Sequence, residues 1–126
     1  MRASSFGICA KHEGVGLMVL IFGGVYQGKL AYAKKRFGDG KKIVDYVDRE
    51  VLAWIQSGES LPEKMLEFIS ANADSVVICN DISCGVVPID PIMRKWREEV
   101  GHFMSLLAEN SDEVIRMFCG IPTQLK

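Results

Sequence analysis

A glycine-rich segment followed by a lysine is the sequence feature most suited to chemistry. Gly23-Gly-Val-Tyr-Gln-Gly28-Lys29 matches the G-x-x-x-x-G-K pattern of a phosphate-binding loop (P-loop). Glycines let the backbone wrap closely around phosphate oxygens, and a helix that starts after the loop directs free N–H groups at the same anion. Lys29 adds a positive charge at the β- and γ-phosphates. The alternative is a glycine turn between strand and helix with an exposed lysine.

The last position of the motif departs from the pattern. The usual serine or threonine hydroxyl ligates Mg²⁺, and Leu30 has no such group. Either Mg²⁺ is held by the nucleotide, water and acids elsewhere, or catalysis is weak or absent. The predicted nucleotide-binding residues are Gly23, Gly24, Val25, Tyr26, Gln27, Gly28, Lys29 and Leu30.

Two aspartates stand at the ends of predicted strands, where an open α/β sheet places its ligand crevice. Asp81 follows the run Ser75–Asn80, and Asp45 ends the run Lys42–Asp45. A P-loop enzyme needs a carboxylate for the metal or a water of its shell. Asp81 is therefore the first candidate metal-holding residue and Asp45 the second, while Lys29 and Asp81 are the candidate catalytic residues. Either acid is equally well explained as a helix cap or turn residue.

The remaining charged and imidazole side chains carry weaker signals. Arg94 and Arg97 share a helix face and could contact a phosphate or an acidic partner, although a solvated face is the simpler interpretation. His12 and His102 are the only histidines, and we expect them at the surface or in the core. Their separation predicts neither a nucleophile triad nor a metal site.

Composition and charge make some classes of function less favoured, namely binding to nucleic acid and association with a membrane. The chain has 126 residues, and its formal net charge of −1 disfavours nucleic acid or an anionic membrane as partner. The longest apolar run, Leu17–Phe22, is too short to span a bilayer. We expect residues 1–16 to form a flexible extension and residues 17–126 a single nucleotide-binding domain.

The four cysteines indicate a reducing compartment. None forms a C-x-x-C pair, and their spacing fits neither a zinc site nor a disulfide framework. Cys79 and Cys119 lie in apolar runs predicted to be buried strands, where free cysteine acts as a small hydrophobe. We therefore expect a cytoplasmic protein.

Apolar runs alternate with segments of helical period, which predicts an α/β fold with a mostly parallel sheet of about four to five strands between helical layers. The predicted strands are Leu17–Phe22, Lys42–Tyr46, Ser75–Asn80 and Glu113–Cys119. The predicted helices run from Gly28 to Phe37, from a cap at Asp48 to Ser57, from a capping box at Ser60 to Asn72, and from Asp90-Pro91 to Glu109. A loop covers Asp81–Ile89, and a short tail follows Gly120.

The C-terminal half resembles a known family. Asn80-Asp-Ile-Ser-Cys-Gly-Val-Val-Pro88 is followed by Arg94-x-Trp-Arg-Glu98, by Asp112-Glu-Val114 and by Gly120-Ile-Pro122. These strings are similar to those of the adenosylcobinamide kinase/adenosylcobinamide-phosphate guanylyltransferase family. The resemblance implies a RecA-like P-loop fold, ATP or GTP as ligand, a homo-oligomer, and phosphorylation of adenosylcobinamide in cobalamin (vitamin B12) biosynthesis.

The departures from this family are large. The middle segment that carries the histidine guanylylated by GTP is missing, and no histidine lies between Lys42 and Ser75. Leu30 replaces the P-loop serine, and Asp81 stands where the family has glutamate. We therefore expect guanylyltransfer by the covalent route to be lost. Three hypotheses remain: an adenosylcobinamide kinase-like enzyme, a catalytically inactive P-loop pseudoenzyme that binds nucleotide as a regulatory or partner subunit, and a purely structural subunit. The retained Lys29 argues against the third.

Overall fold

The structure, a computed structural model, describes residues 17–38, 40–82 and 89–126. Within these ranges the strands are β1 (Val19–Gly23), β2 (Ile43–Val44), β3 (Val76–Asn80), β4 (Glu113–Phe118) and β5 (Ile121–Gln124). The helices are α1 (Lys29–Phe37), α2 (Val47–Gln56), α3 (Leu61–Ala71) and α4 (Pro91–Asn110). The expectations for residues 1–16, including His12, and for most of the Asp81–Ile89 loop fall outside the described residues.

The strands form one sheet in the order β2-β3-β1-β4-β5. The first four are parallel, and β5 runs antiparallel to β4. β1 is central because Leu17–Phe22 is apolar on both faces, and all five residues of β3 are buried. The prediction of an α/β fold with a mostly parallel sheet is confirmed.

Helices cover both faces of the sheet. Ala33 of α1 packs on one face with Ile21 and Ile78. The opposite face carries α2, α3 and α4, with Val51, Phe103 and other buried residues of these helices in a larger core. The predicted three-layer arrangement is therefore present. No helix in the described ranges is both long and apolar enough to cross a membrane.

Several local predictions are wrong in detail. Asp48 does not cap α2, because Tyr46 occupies the cap position in the left-handed region (φ 58°) and Asp48 is buried inside the first turn. Ser60 precedes α3 as expected, but its side chain makes no capping hydrogen bond. Leu66 on α3 and Ile92 on α4 are apolar, yet both are more than half exposed. Each lies at the margin of its apolar stripe, where a small rotation of the helix decides between core and solvent.

The C-terminal tail also differs from expectation. Residues after Gly120 form the edge strand β5, exposed along its whole length. Cys119 is exposed and outside β4, because Cys119 and Gly120 both adopt positive φ (52° and 74°) in the tight turn of the β4–β5 hairpin. Asp90 caps α4 as predicted, since its side chain accepts a hydrogen bond of 2.9 Å from the N–H of Ile92.

Candidate functional site

The Gly23–Leu30 loop begins where β1 meets its neighbours closely. A Cβ at Gly23 would lie 2.4 Å from the carbonyl oxygen of Met117 on β4, so only glycine fits between the strands. On the other side, the Gly23 carbonyl accepts a hydrogen bond of 2.8 Å from the N–H of Asp81. The start of the loop is therefore held by both flanking strands.

The loop ends at Gly28, which caps α1 in the left-handed region (φ 85°) that glycine adopts without strain. The first turn of α1 contains no acidic side chain, so no carboxylate of the helix itself occupies its positive end. A free helix N-terminus beside a glycine loop is suited to an anion.

Gln27 ties the loop to the β4–β5 turn. Its side-chain oxygen accepts a hydrogen bond of 2.5 Å from the N–H of Cys119. The loop is thus anchored at Gly23 and again near its apex, which reduces the conformational freedom lost when a ligand binds.

Lys29 points back over the loop. Its side chain is buried, and Nζ donates a hydrogen bond of 2.5 Å to the Gly24 carbonyl. Burial lowers the pKa of Lys29, while the charges of Asp45 and Asp48 oppose that shift. A buried ammonium that donates to a carbonyl of the loop is well placed to exchange that carbonyl for a phosphate oxygen.

A cavity of about 190 Å³ lies against the loop. Its lining comprises Val25, Tyr26, Gln27, Gly28, Lys29, Leu30, Ala31, Asp45, Tyr46 and Asn80. Asp45 therefore faces the predicted phosphate-binding residues across the cavity. Asp81 follows β3 beside Gly23, adjacent to this lining rather than part of it.

Asp48, which the sequence suggested only as a helix cap, is hydrogen-bonded to Asn80 of the cavity lining. The buried carboxylate of Asp48 accepts hydrogen bonds from Asn80, at 3.3 Å from the backbone N–H and 3.5 Å from the side-chain amide. The Asp48 carbonyl accepts a 2.6 Å hydrogen bond from the indole N–H of Trp96.

The residues present fit a magnesium ion carried by a nucleotide better than one held by protein alone. Within the described ranges, no group of three or more His, Cys, Asp or Glu side chains is arranged for a metal. Mg²⁺ commonly binds through one or two carboxylates together with substrate phosphates. Asp45 on the cavity and Asp81 beside it could fill that role, whereas Leu30 offers no oxygen.

The remaining candidates lie elsewhere. Arg94 is exposed and donates to the Ile89 carbonyl at 3.0 Å, and Arg97 is half-buried on the same helix. His102 is exposed on α4, with Nδ1 3.6 Å from Glu99. Cys79 is buried, which raises the pKa of its thiol and keeps it in the neutral form expected of a small hydrophobe.

Comparison with known proteins covers only part of this site. Residues 49–125 match the family described as cobinamide kinase / cobinamide phosphate guanyltransferase, which is more than half of the chain. The match includes Asn80 and Asp81 but begins after the Gly23–Leu30 loop, Asp45 and Asp48. The chain has no match among curated proteins. The chain belongs to the cobinamide kinase / cobinamide phosphate guanyltransferase family, nucleotide-binding enzymes of cobalamin biosynthesis.

Proposed function

We propose that this protein binds a purine nucleoside triphosphate at the Gly23–Leu30 loop and acts as an adenosylcobinamide kinase. The observation that carries the proposal is Lys29, buried at a glycine loop with Asp45 across the cavity. The reaction transfers the γ-phosphoryl group to a hydroxyl of adenosylcobinamide, with the nucleoside diphosphate as leaving group. Family membership supports the substrate class.

The roles follow from position and charge. The loop backbone cradles the phosphates, and Lys29 neutralises charge on the transferred phosphoryl group. Asp81 and Asp45 hold the metal or accept the proton of the attacking hydroxyl. Mg²⁺, when bound with the nucleotide, supplies charge neutralisation at the phosphates. Catalysis then comes from positioning and electrostatic stabilisation.

The proposal excludes the family's second activity. Covalent guanylyltransfer needs a nucleophilic histidine, and none occurs between Lys42 and Ser75. His102 is on the exposed surface of α4 and does not line the cavity. We further propose a cytoplasmic homo-oligomer, supported by the free thiol of Cys79 and by the family resemblance.

One observation favours a second candidate function. Leu30 stands at the cavity where the motif places a magnesium-binding hydroxyl. A protein that keeps the loop and Lys29 but loses that hydroxyl suits a pseudoenzyme, which binds nucleotide as a regulatory or partner subunit without transferring phosphate.

Titration calorimetry with ATP and GTP, with and without Mg²⁺, tests nucleotide binding. Lys29→Ala should weaken binding by about 10- to 100-fold, because a charge-assisted hydrogen bond is lost. Lys35→Ala removes the same charge from an exposed position of α1 and serves as the control. Equal affinity of wild type and Lys29→Ala, or no binding by wild type, would contradict the proposal.

Phosphate transfer to adenosylcobinamide separates the two candidates. The kinase should form adenosylcobinamide phosphate from labelled ATP or GTP, and the pseudoenzyme should not. Leu30→Ser restores the hydroxyl. Transfer seen only in that variant would assign the natural protein to the inactive class.

A further inference from the structure

Gln27 joins the phosphate-binding loop to the turn of the β4–β5 hairpin. Its side-chain oxygen accepts the 2.5 Å hydrogen bond from the N–H of Cys119, which lies 92 residues further along the chain. The G-x-x-x-x-G-K motif places no requirement on this position, so the contact belongs to this chain and not to the motif. The motif therefore does not explain why the loop and the hairpin are connected.

The hairpin turn is strained where Gln27 contacts it. Cys119 and Gly120 are its two central residues, and both have positive φ. The register pairs Phe118 with Ile121 around them, which leaves the Cys119 N–H outside the ladder of hydrogen bonds. A cysteine in the left-handed region is strained, because its Cβ crowds the backbone. The hydrogen bond from the turn to Gln27 is thus an outside contact that helps to hold a strained conformation.

The loop also packs on the same end of the hairpin. A Cβ at Gly28 would lie 3.8 Å from the Cα of Gly120 and 4.0 Å from Cε of Met117. The amide nitrogen of Gln27 lies on the loop side, since a Cβ at Gly24 would be 3.9 Å from it. One end of this amide therefore faces the hairpin turn, and the other faces the loop that lines the cavity.

β5 is the element that such a contact can influence most. It is the edge strand of the sheet, and all four of its residues are exposed. Just beyond it, the Leu125 N–H donates a 2.8 Å hydrogen bond to the Val114 carbonyl of β4. By alternation along the strand, the N–H of Thr123 also faces β4, whereas the N–H of Gln124 faces outward. An edge strand that buries little surface opens at low cost, so one contact at its turn should change its opening measurably.

We propose that Gln27 is a positioning residue that couples phosphate binding at the Gly23–Leu30 loop to the pairing of β5 with β4. The inference rests on the proposed nucleotide binding and deepens it. A phosphate in the loop fixes the loop backbone and with it the Gln27 amide, which holds the Cys119 N–H and keeps the turn closed. A closed turn in return keeps the loop in its binding shape, because coupling between two sites acts equally in both directions.

Amide hydrogen exchange of Thr123 and Leu125, followed by NMR, tests the first direction. Saturating inorganic tripolyphosphate with Mg²⁺ should slow exchange of both amides by about fivefold in wild type. Gln27→Met keeps the length of the side chain without its acceptor oxygen, so tripolyphosphate should bind this variant yet leave both rates unchanged. Without ligand, Gln27→Met should exchange about fivefold faster than wild type, and Gln27→Glu, which keeps an acceptor oxygen, at the wild-type rate.

Proline substitutions in β5 test the other direction. Thr123→Pro removes an N–H that faces β4 and should weaken tripolyphosphate binding by about fivefold in calorimetry. Gln124→Pro is the matched control, because it places the same ring at an outward position, as Pro122 does naturally, and it should leave the affinity unchanged. In a Gln27→Met protein, Thr123→Pro should cause no further loss, since the connection is already broken.

The outcomes separate this inference from the proposed function. Equal affinity of wild type and Thr123→Pro, or the same loss with and without Gln27, would overturn the inference while tripolyphosphate still binds at the loop. No binding of tripolyphosphate by wild type would also overturn it, and no binding of ATP or GTP either would overturn the proposed function with it. If Thr123→Pro does not fold, exchange decides: slowing that is absent from wild type, or equal in wild type and Gln27→Met, would overturn the inference.

Discussion

The two walls of the cavity are built in different ways. The loop wall, Gly23–Leu30, is mostly exposed backbone shaped by glycines, with Lys29 as its one buried charged side chain. The acidic wall consists of Asp45 and Asn80 together with Asp48, which does not line the cavity itself but is buried and hydrogen-bonded to Asn80. The shape of the loop wall is set by close contacts between backbone segments and by glycine torsion angles. The acidic wall is held by hydrogen bonds between buried polar groups, and removing one of these groups leaves its partner without a hydrogen bond.

Substitutions in the two walls should therefore differ in which quantity they change more, the affinity for ligand or the free energy of unfolding. Loop substitutions act on the ligand through shape, and substitutions in the acidic wall act first on the folded state. The predictions below test this difference, beginning with the largest expected change in the free energy of unfolding.

Asp48→Ala should destabilise the protein by about 3 kcal/mol, because it leaves the N–H and side-chain amide of Asn80 without their acceptor and Lys29 without a neighbouring negative charge. Urea unfolding followed by far-UV circular dichroism measures the change. A loss below that caused by Gly23→Ala would contradict the contrast between the walls.

Gly23→Ala should cost about 2 kcal/mol, because its Cβ would overlap the Met117 carbonyl and force β1 and β4 apart. Gly101→Ala is the control, since nothing lies within 4 Å of a Cβ at that helical position. The control should stabilise α4 by up to about 1 kcal/mol through helix propensity. Equal effects of both substitutions would show that the approach at Gly23 is not tight.

Trp96→Phe should cost about 1 kcal/mol, because the Asp48 carbonyl loses the indole N–H that binds it at 2.6 Å. Trp54→Phe makes the same change of ring in the aromatic cluster with Phe68 and Phe103. Tripolyphosphate affinity should change in Trp96→Phe and stay constant in Trp54→Phe. A change confined to Trp54→Phe would show that the acidic wall does not depend on α4.

Lys29→Met should alter the pH dependence of stability, and the pH profiles of the two proteins should differ in slope only in the alkaline range where Lys29 titrates. The folded-state pKa of Lys29 is lowered from 10.5, so as pH rises the folded protein releases this proton before the unfolded chain does. Stability of wild type should therefore rise relative to Lys29→Met as pH approaches 10.5. Parallel pH profiles from urea unfolding would contradict a buried, desolvated Lys29.

Features with strong local patterns could be predicted from sequence. Continuous apolar runs predicted β1 and β3, and Asp90-Pro91 predicted the start of α4. The G-x-x-x-x-G-K motif predicted the loop, and its flanking strand and helix are present. Such patterns succeed because burial on both faces or a fixed turn geometry constrains the residues themselves.

Features decided by tertiary contacts could not be predicted. β5 is exposed on both faces, so its residues show no strand period and only pairing with β4 defines it. Asp48 is a residue type that often caps helices. It is instead buried through contacts with Asn80 and Trp96, which are distant in sequence. The cavity joins residues from three separate segments, and no single window of sequence contains them.

Trp96 gives the acidic wall an optical property. Indole emission responds to the polarity and hydrogen bonding around the ring, and this indole is bonded to the backbone of a residue beside the cavity. The protein contains two tryptophans, and the other, Trp54, lies in the aromatic cluster with Phe68 and Phe103. A Trp54→Phe protein would carry a single tryptophan, next to the site, so ligand arrival could be followed by selectively excited indole emission without any attached dye.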